Sequence, residues 1–173
     1  MDFTKLIEKR RSIRKYTDEN ISDENIEKIV RAGLLAPSSR NLKSAEIIVI
    51  KDKDTLKKLA DVKASGSAML DGAAFAAAVI GNSEKADAWI EDCSLALIYM
   101  QLAAAEMGIG SCWIQCRGRQ SKLDGISSEA FARDMLSFPE GYSLEAIIAF
   151  GISAEEKEEI RTIDENKIHF EKY

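Results

Sequence analysis

Side chains that commonly carry out catalysis are scarce in this sequence. Its 173 residues include one histidine, His169, and three cysteines, Cys93, Cys112 and Cys116. A lone histidine is most often structural, and no serine or cysteine nucleophile is paired with a base. The C-x3-C spacing of Cys112 and Cys116 lacks a second pair of ligands, so we expect no metal site and no catalytic side chain. The odd number of cysteines excludes a framework of paired disulfides and favours a reducing, cytoplasmic location.

Long apolar runs, a basic composition and common nucleotide-binding motifs are also missing. No apolar stretch is long enough to span a membrane, and residues 1–20 lack the apolar core of a signal peptide. The formal net charge is −5, whereas general nucleic-acid binders are usually basic. Neither a G-x-G-x-x-G motif after a strand nor a P-loop sequence occurs. These absences argue against a membrane protein, a nucleic-acid binder and a Rossmann-type nucleotide site.

Intermixed helical and extended patterns predict one α+β domain over residues 1–173, a length that can bury a sizeable core. Ser22 is the expected N-cap of the second helix, and Pro37 stops that helix. The alanines of 74–80 permit either a buried strand or a helix. The expected helices are 2–10, 23–35, 54–62, 85–107 and 127–136, and the expected strands are 46–50, 74–80, 111–115 and 144–150.

The longest expected helix is apolar on nearly every face between residues 95 and 105, with Gln101 as the sole polar interruption. A helix of this kind must be buried on all sides. Neighbouring elements of so small a domain would cover one face poorly, which favours self-association, although the central helix of a monomer is the alternative. Gly108 and Gly110 follow this helix, and helix C-capping is the simplest explanation for both.

Three guanidinium groups and a hydroxyl lie within the five residues 10–14, which read Arg-Arg-Ser-Ile-Arg. Each guanidinium presents a planar fork of donors that matches a phosphate. Arg10 and Arg14 would share a face if the segment were helical, and a bound anion would offset their repulsion. The alternative is a set of cations at a helix C-terminus, or a solvated basic face.

Four short motifs, taken together and in order, resemble the FMN-dependent nitroreductase family. The first is the 10–14 segment, and the second is residues 36–41, Ala-Pro-Ser-Ser-Arg-Asn. The third, residues 108–113, reads Gly-Ile-Gly-Ser-Cys-Trp, and the fourth, residues 149–152, reads Ala-Phe-Gly-Ile. Each motif alone would be weak, but the resemblance covers nearly the whole chain.

The resemblance implies a central mixed sheet flanked by helices, built as an intertwined homodimer that binds FMN noncovalently. It implies that the 10–14 segment meets the phosphate and ribityl chain, and that residues 37–41 approach the isoalloxazine ring from the other subunit. The chain near Gln115 would pass under the ring, and late basic residues would complete the phosphate site. The implied cofactor-binding residues are Arg10, Arg11, Ser12, Arg14, Pro37, Ser38, Ser39, Asn41, Gln115, Lys157 and Arg161.

The activity implied is that of an NAD(P)H oxidoreductase, in which hydride passes through FMN to a nitroaromatic, quinone or flavin acceptor by a ping-pong mechanism. The cofactor carries such chemistry, which fits the scarcity of catalytic side chains. The expected partners are therefore NAD(P)H, a small acceptor and a second copy, without nucleic acid or membrane. A non-catalytic nucleotide- or anion-binding module, and a related flavin enzyme such as a reductive dehalogenase, are the alternatives.

The chain departs from the family pattern at three places. Residues 42–45, Leu-Lys-Ser-Ala, stand where family members often have Gln-Pro-Trp, and Arg40 replaces a common glycine. Ser153 and Ala154 follow the last motif without the usual proline. These departures leave the substrate class open.

Overall fold

A computed structural model describes residues 2–173, which form a four-stranded sheet with helices on both faces. The α+β class expected from the sequence is confirmed. The helices are α1 (Phe3–Lys9), α2 (Asp23–Leu34), α3 (Lys53–Leu59), α4 (Trp89–Glu106) and α5 (Ser128–Leu136), and the strands are β1 (Ala45–Ile50), β2 (Phe75–Asn82), β3 (Gly110–Gln115) and β4 (Tyr142–Gly151). Short 3₁₀ helices cover Ser39–Asn41, Ala68–Leu70 and Glu165–Lys167.

The strands lie in the order β1-β2-β4-β3, and each neighbouring pair is antiparallel. The expectation of a mixed sheet was wrong, because the four strands are antiparallel throughout. Within residues 2–173, parallel pairing is confined to an isolated bridge between Ser12 and Ser111 of β3. Through this bridge the 10–14 segment is attached to the outer side of β3. The sheet therefore fixes the position of the most basic part of the chain.

Two apolar layers, one on each face of the sheet, explain why the alanine-rich stretch forms a strand. Ala76, Ala78 and Ile80 of β2 belong to the core beneath α3 and α5. Phe75 and Val79 belong to the other core, beneath α2 and α4. A strand buried on both faces has a continuous apolar sequence, and the alternation of sides appears only in the folded chain.

Helix boundaries follow local hydrogen bonding. The Ser22 hydroxyl accepts a bond from the Asn25 N–H, which confirms Ser22 as the N-cap of α2. The longest helix begins at Trp89 rather than 85, because Asn82 ties the preceding residues into a turn by accepting a bond from the Lys85 N–H at 3.0 Å. None of the helices formed by residues 2–173 is both long and apolar enough to cross a membrane.

The chain beyond β4 runs along the surface. The Ile160 N–H donates to the Glu8 carbonyl at 2.9 Å, so the segment passes α1. Residues 156–173 are exposed throughout, including five large apolar side chains, Ile160, Ile163, Ile168, Phe170 and Tyr173. Within one chain, these apolar groups remain largely uncovered.

Candidate functional site

The 10–14 segment is extended, not helical. Helix α1 ends at Lys9, and Arg10 has φ −61° and ψ 122°. Arg10 and Arg14 therefore do not share a helical face, and that premise of the sequence analysis was wrong. The segment instead pairs with β3, where the Ile13 N–H donates to the Ser111 carbonyl at 2.9 Å. The segment takes its shape from the sheet, which local sequence patterns do not reveal.

Two glycines allow this segment to lie close to the sheet. A β-carbon built on Gly110 would lie 3.0 Å from the Ile13 side chain, and one built on Gly151 would lie 2.6 Å from the Tyr16 ring. The Tyr16 hydroxyl donates to the Ile13 carbonyl at 2.7 Å. Gly108 has φ +74° and follows the end of α4, as expected for a helix cap. Capping does not explain Gly110, whose role is close packing.

A cleft of about 190 Å³ opens beside the segment. Its walls are the end of α1, the turn from α4 into β3, and the chain that follows β4. Four cationic side chains line it, together with the carboxylate of Glu155. The cationic residues are Lys9, Arg10, Arg11 and Lys157. This donor set suits an anion such as a phosphate, since guanidinium and ammonium groups give charge-assisted hydrogen bonds.

Glu155 organises one wall of the cleft. Its carboxylate accepts bonds from the backbone N–H groups of Arg14 at 2.6 Å and Lys15 at 3.3 Å, and it pairs with the Lys157 ammonium at 2.9 Å. The Arg14 N–H bond, followed by the Lys157 contact, lowers the pKa of Glu155 to about 2. The Arg11 guanidinium donates to the Glu158 carbonyl. The chain after β4 is thereby bound to the 10–14 segment.

The remaining predicted phosphate-site residues lie around the cleft. Ser12 forms the bridge to β3, and the exposed Arg14 side chain donates to the Ser12 carbonyl at 3.4 Å. Arg161 does not line the cleft: it pairs with Glu159 at 2.6 Å in a neighbouring depression that also contains Lys9. Lys9 lines both depressions, so Arg161 lies next to the cleft rather than within it.

The segment that carries Pro37, Ser38, Ser39 and Asn41 lies elsewhere on the chain. Its first two residues line a separate cleft of about 240 Å³ between α2 and α4, and that cleft shares no lining residue with the first. We call residues 37–44 the 37–44 loop. One chain therefore does not bring the two predicted halves of the cofactor site together.

Asp92 of α4 holds the 37–44 loop. Its carboxylate accepts bonds from the Ser39 N–H at 2.7 Å and the Ser44 hydroxyl at 2.6 Å. Arg40 has φ +50°, a left-handed conformation that favours glycine. This conformation explains why glycine is common at this position in the family that the motifs resemble. The sequence analysis missed Asp92, because nothing in its sequence context distinguishes it from the other acidic residues of the chain.

Gln115 lies at the end of β3 within a polar network. Its amide oxygen accepts a bond from the Trp113 indole at 2.9 Å, and its amide nitrogen donates to the Glu145 carboxylate at 3.0 Å. Glu145 is buried in β4 and pairs with Arg117 at 2.6 Å. The sequence analysis missed Glu145 and Arg117, which only the pairing of β3 with β4 brings together with Gln115.

The three cysteines and the single histidine are either buried or packed against an aromatic ring. Cys93, Cys112 and Cys116 are buried and free, and burial raises the thiol pKa of each, to about 12 for Cys93 and Cys116. His169 is exposed and packs against the Tyr173 ring, with centroids 4.3 Å apart. Residues 2–173 contain no group of three or more histidine, cysteine or acidic residues placed to hold a metal.

The sequence is similar to proteins of a known family. The sequence matches the nitroreductase family over residues 7–68 and 63–152. A protein of Archaeoglobus fulgidus, provisionally named NADH dehydrogenase/NAD(P)H nitroreductase, is 35% identical, and the alignment covers 98% of this chain and 97% of that protein. An NAD(P)H-dependent FMN reductase of Bacillus subtilis is 40% identical over 63 residues, 36% of this chain and 25% of the reductase.

Solved structures agree with this match. The structure of an FMN-dependent nitroreductase from Clostridium difficile R20291 has a TM-score of 0.94 and 43% identity, and covers 97% of this chain and 98% of its own. The structure of a Clostridium acetobutylicum protein, provisionally named NADH oxidase, has a TM-score of 0.85 and 27% identity, and covers 97% of this chain and 99% of its own. Sequence and fold agree over almost the whole length, and the chain belongs to the nitroreductase family.

Proposed function

We propose that the protein is an FMN-dependent NAD(P)H oxidoreductase that reduces a small acceptor. The observation that carries this proposal is the cationic cleft beside the Ser12–Ser111 bridge, lined by Arg10, Arg11 and Lys157. Family membership and the names of the relatives, which include an FMN-dependent nitroreductase and an FMN reductase, support the choice of cofactor.

The residues present fit FMN. Its phosphate matches a cleft with two guanidinium groups and two ammonium groups. Arg10 lines this cleft, and the planar fork of donors on its guanidinium suits a phosphate. Bound FMN supplies the hydride-transfer chemistry, between NAD(P)H and a nitroaromatic, quinone or flavin acceptor.

The protein's own residues then bind and orient. Arg10, Arg11 and Lys157 would hold the phosphate, and Ser12 and Arg14 of the same segment would meet the ribityl chain. Arg161 would add positive charge beside the cleft. Gln115 and the 37–44 loop, through Pro37, Ser38, Ser39 and Asn41, would contact the ring. No side chain is assigned a nucleophilic or proton-transfer role, because the three thiols are buried and His169 is exposed and packs against the Tyr173 ring.

A second copy of the chain completes the site. Leu95, Ile98, Tyr99 and Leu102 form a stripe at helical spacing along α4 that one chain leaves partly exposed, with Tyr99 at 40%. The opposite face of α4, including Met100, is buried against the sheet. A homodimer through this stripe covers the apolar surface and lets the 37–44 loop of one subunit meet the cationic cleft of the other.

The exposed chain after β4 supports an intertwined arrangement. Ile163 and Phe170 are 73% and 87% exposed, and a partner subunit would bury them. The free, buried cysteines are compatible with a reducing compartment, and we retain the cytoplasm as the expected location.

The decisive experiment is purification followed by absorbance spectroscopy and reconstitution with FMN. A yellow protein that takes up one FMN per subunit, and that oxidises NADH or NADPH in the presence of a nitroaromatic or quinone, supports the proposal. Binding of nucleotides or phosphate without any flavin would favour the non-catalytic module instead. Elimination of halide from a haloaromatic without reduction of nitroaromatics or quinones would favour the related flavin enzyme.

A further inference from the structure

A buried carboxylate in α4 accepts hydrogen bonds from two residues of the 37–44 loop, Ser39 and Ser44. Asp92 is 3% exposed, and its two oxygens are used by different partners. One accepts a bond from the Ser39 N–H at 2.7 Å, and the other from the Ser44 hydroxyl at 2.6 Å. Ser44 is itself 7% exposed. A carboxylate that is removed from water in this way is retained only where its hydrogen bonds are satisfied.

The backbone between these two anchors is in an unfavourable conformation. Arg40, Asn41 and Lys43 have φ values of +50°, +56° and +50°, in the left-handed region that residues other than glycine rarely adopt. Strain of this kind persists only where surrounding contacts determine the conformation. Three left-handed residues out of four consecutive positions therefore need an external constraint.

One further bond joins the end of the loop to the sheet, since the Asn82 N–H of β2 donates to the Ser44 carbonyl at 3.1 Å. The contacts of the loop residues before Ser44 are otherwise weak or internal. The Asn41 N–H donates to the Ser38 carbonyl, and the Lys43 N–H donates to the Ser38 hydroxyl, both at 3.0 Å, so these bonds join loop residues to each other. Arg40 pairs with Asp87, but both side chains are mainly exposed, and such pairs contribute little. Asp92 provides the buried attachment of the loop to α4.

We infer that Asp92 is a positioning residue for the cofactor. It holds the 37–44 loop in the conformation that presents Ser38, Ser39 and Asn41 to the flavin ring. This inference rests on the proposed function, and it adds a residue that itself touches no part of the flavin. Aspartate suits the task because both oxygens accept bonds, and because the first turn of α4 favours a negative charge.

The amide of asparagine can reproduce both contacts. Its oxygen can accept a bond from the Ser39 N–H, and its nitrogen can donate to the Ser44 hydroxyl oxygen. Asp92→Ala removes both contacts. The pair of variants therefore separates loss of the loop anchor from loss of the charge.

Loop attachment is measured without flavin by limited trypsin digestion of the full-length apoprotein. Arg40 and Lys43 are exposed cleavage sites within the loop. We expect Asp92→Ala to be cut at these sites at least about tenfold faster than wild type, since it loses two hydrogen bonds to a charged group. Asp92→Asn should be cut at close to the wild-type rate.

Cofactor positioning is measured by titration of each apoprotein with FMN and with riboflavin. Asp92→Ala should weaken both by the same factor, at least about tenfold, because the loop meets the shared ring. It should also shift the visible absorbance bands of the bound flavin. Arg10→Ala, in the cationic cleft, should instead reduce the preference for FMN over riboflavin.

Val62→Ala is the control for general destabilisation, because Val62 is fully buried in the opposite apolar layer beneath α3 and α5. It should lower the melting temperature without changing either flavin affinity or cleavage within the loop. If it weakened flavin binding and altered the bands as Asp92→Ala does, the specific positioning role would be overturned.

The outcomes separate this inference from the proposed function. A wild-type protein that binds neither flavin refutes the proposed function, and the positioning role falls with it. A wild-type protein that binds FMN, with an Asp92→Ala variant of equal affinity and unchanged bands, overturns the inference alone. Weaker binding of both flavins, faster loop cleavage and rescue by Asp92→Asn support it.

Discussion

The ring of Tyr16 lies against Gly151 so closely that a β-carbon on the glycine would be 2.6 Å from the ring. The Tyr16 hydroxyl donates to the carbonyls of Ile13 at 2.7 Å and Ala149 at 3.1 Å. Burial raises the pKa of this phenol, so it remains a donor at physiological pH. Through Tyr16, the 10–14 segment is fixed against β4, the strand that lies beside β3 in the sheet.

The contact leads to a first prediction. Gly151→Ala should displace Tyr16 and lower the stability of the protein by roughly 1–3 kcal/mol, the usual cost of overpacking. FMN affinity should fall as well, because the 10–14 segment moves with Tyr16. Thermal melts and FMN titrations measure both effects. Gly72→Ala is the matched control, since a β-carbon there meets nothing within 4 Å. Equal melting temperatures for the two variants would contradict the prediction.

Arg10 carries a second prediction, which concerns phosphate recognition. Arg10→Ala should weaken FMN binding by roughly 1.5–3 kcal/mol, the range for a charge-assisted hydrogen bond, and should leave riboflavin affinity nearly unchanged. Lys57→Ala, which removes a positive charge from the exposed face of α3, should preserve the affinity for both. Equal affinities of the wild-type protein for FMN and riboflavin would mean that the cleft does not bind the phosphate.

The apolar stripe on α4 carries a third prediction. Leu102→Glu, or the same change at Leu95, should lower both dimer content and FMN occupancy, because a charge would be buried in the subunit interface. Sedimentation and flavin absorbance give the two readings. Leu123→Glu, at an exposed leucine between β3 and α5, should leave the protein dimeric. A folded wild-type monomer at micromolar concentration that still holds FMN would rule out the dimer.

Glu155 carries a fourth prediction, on acid stability. Its pKa is lowered to about 2 in the folded chain, from an ordinary value of 4.5, first by the Arg14 N–H bond and then by the Lys157 contact. The stability that it contributes is therefore complete above about pH 4.5 and is lost as the pH falls toward 2. Melting temperatures of Glu155→Gln should depend less steeply on pH than those of wild type in this window. The exposed neighbour variant Glu156→Gln should follow the wild type, and identical slopes for Glu155→Gln would refute the assignment.

The absence of an assigned catalytic side chain gives a fifth prediction. A variant without cysteines that also carries His169→Ala should keep its turnover, and double-reciprocal plots should be parallel, as in a ping-pong mechanism. Both follow if NAD(P)H and the acceptor use one exposed flavin face in turn. Steady-state kinetics with each substrate varied provides the test. Intersecting lines would indicate a ternary complex, and loss of turnover with FMN retained would reveal a catalytic side chain.

Local sequence patterns determined much of this protein. The Ser22 cap and the strand character of β4 depend on neighbouring residues and on apolar periodicity, which a sequence displays directly. The motif at residues 10–14 identified the cationic segment for the same reason. Its assignment to a phosphate remains a prediction.

Tertiary structure alone decided how these parts are arranged. Attachment to β3 makes the 10–14 segment extended, and Gly110 is required by Ile13, which lies far from it in sequence. Asp92 meets Ser39 and Ser44 across about fifty residues of chain, and Glu145 meets Gln115 through strand pairing. Such contacts join residues whose local sequence contexts are independent, so only the packing of the helices against the sheet specifies them.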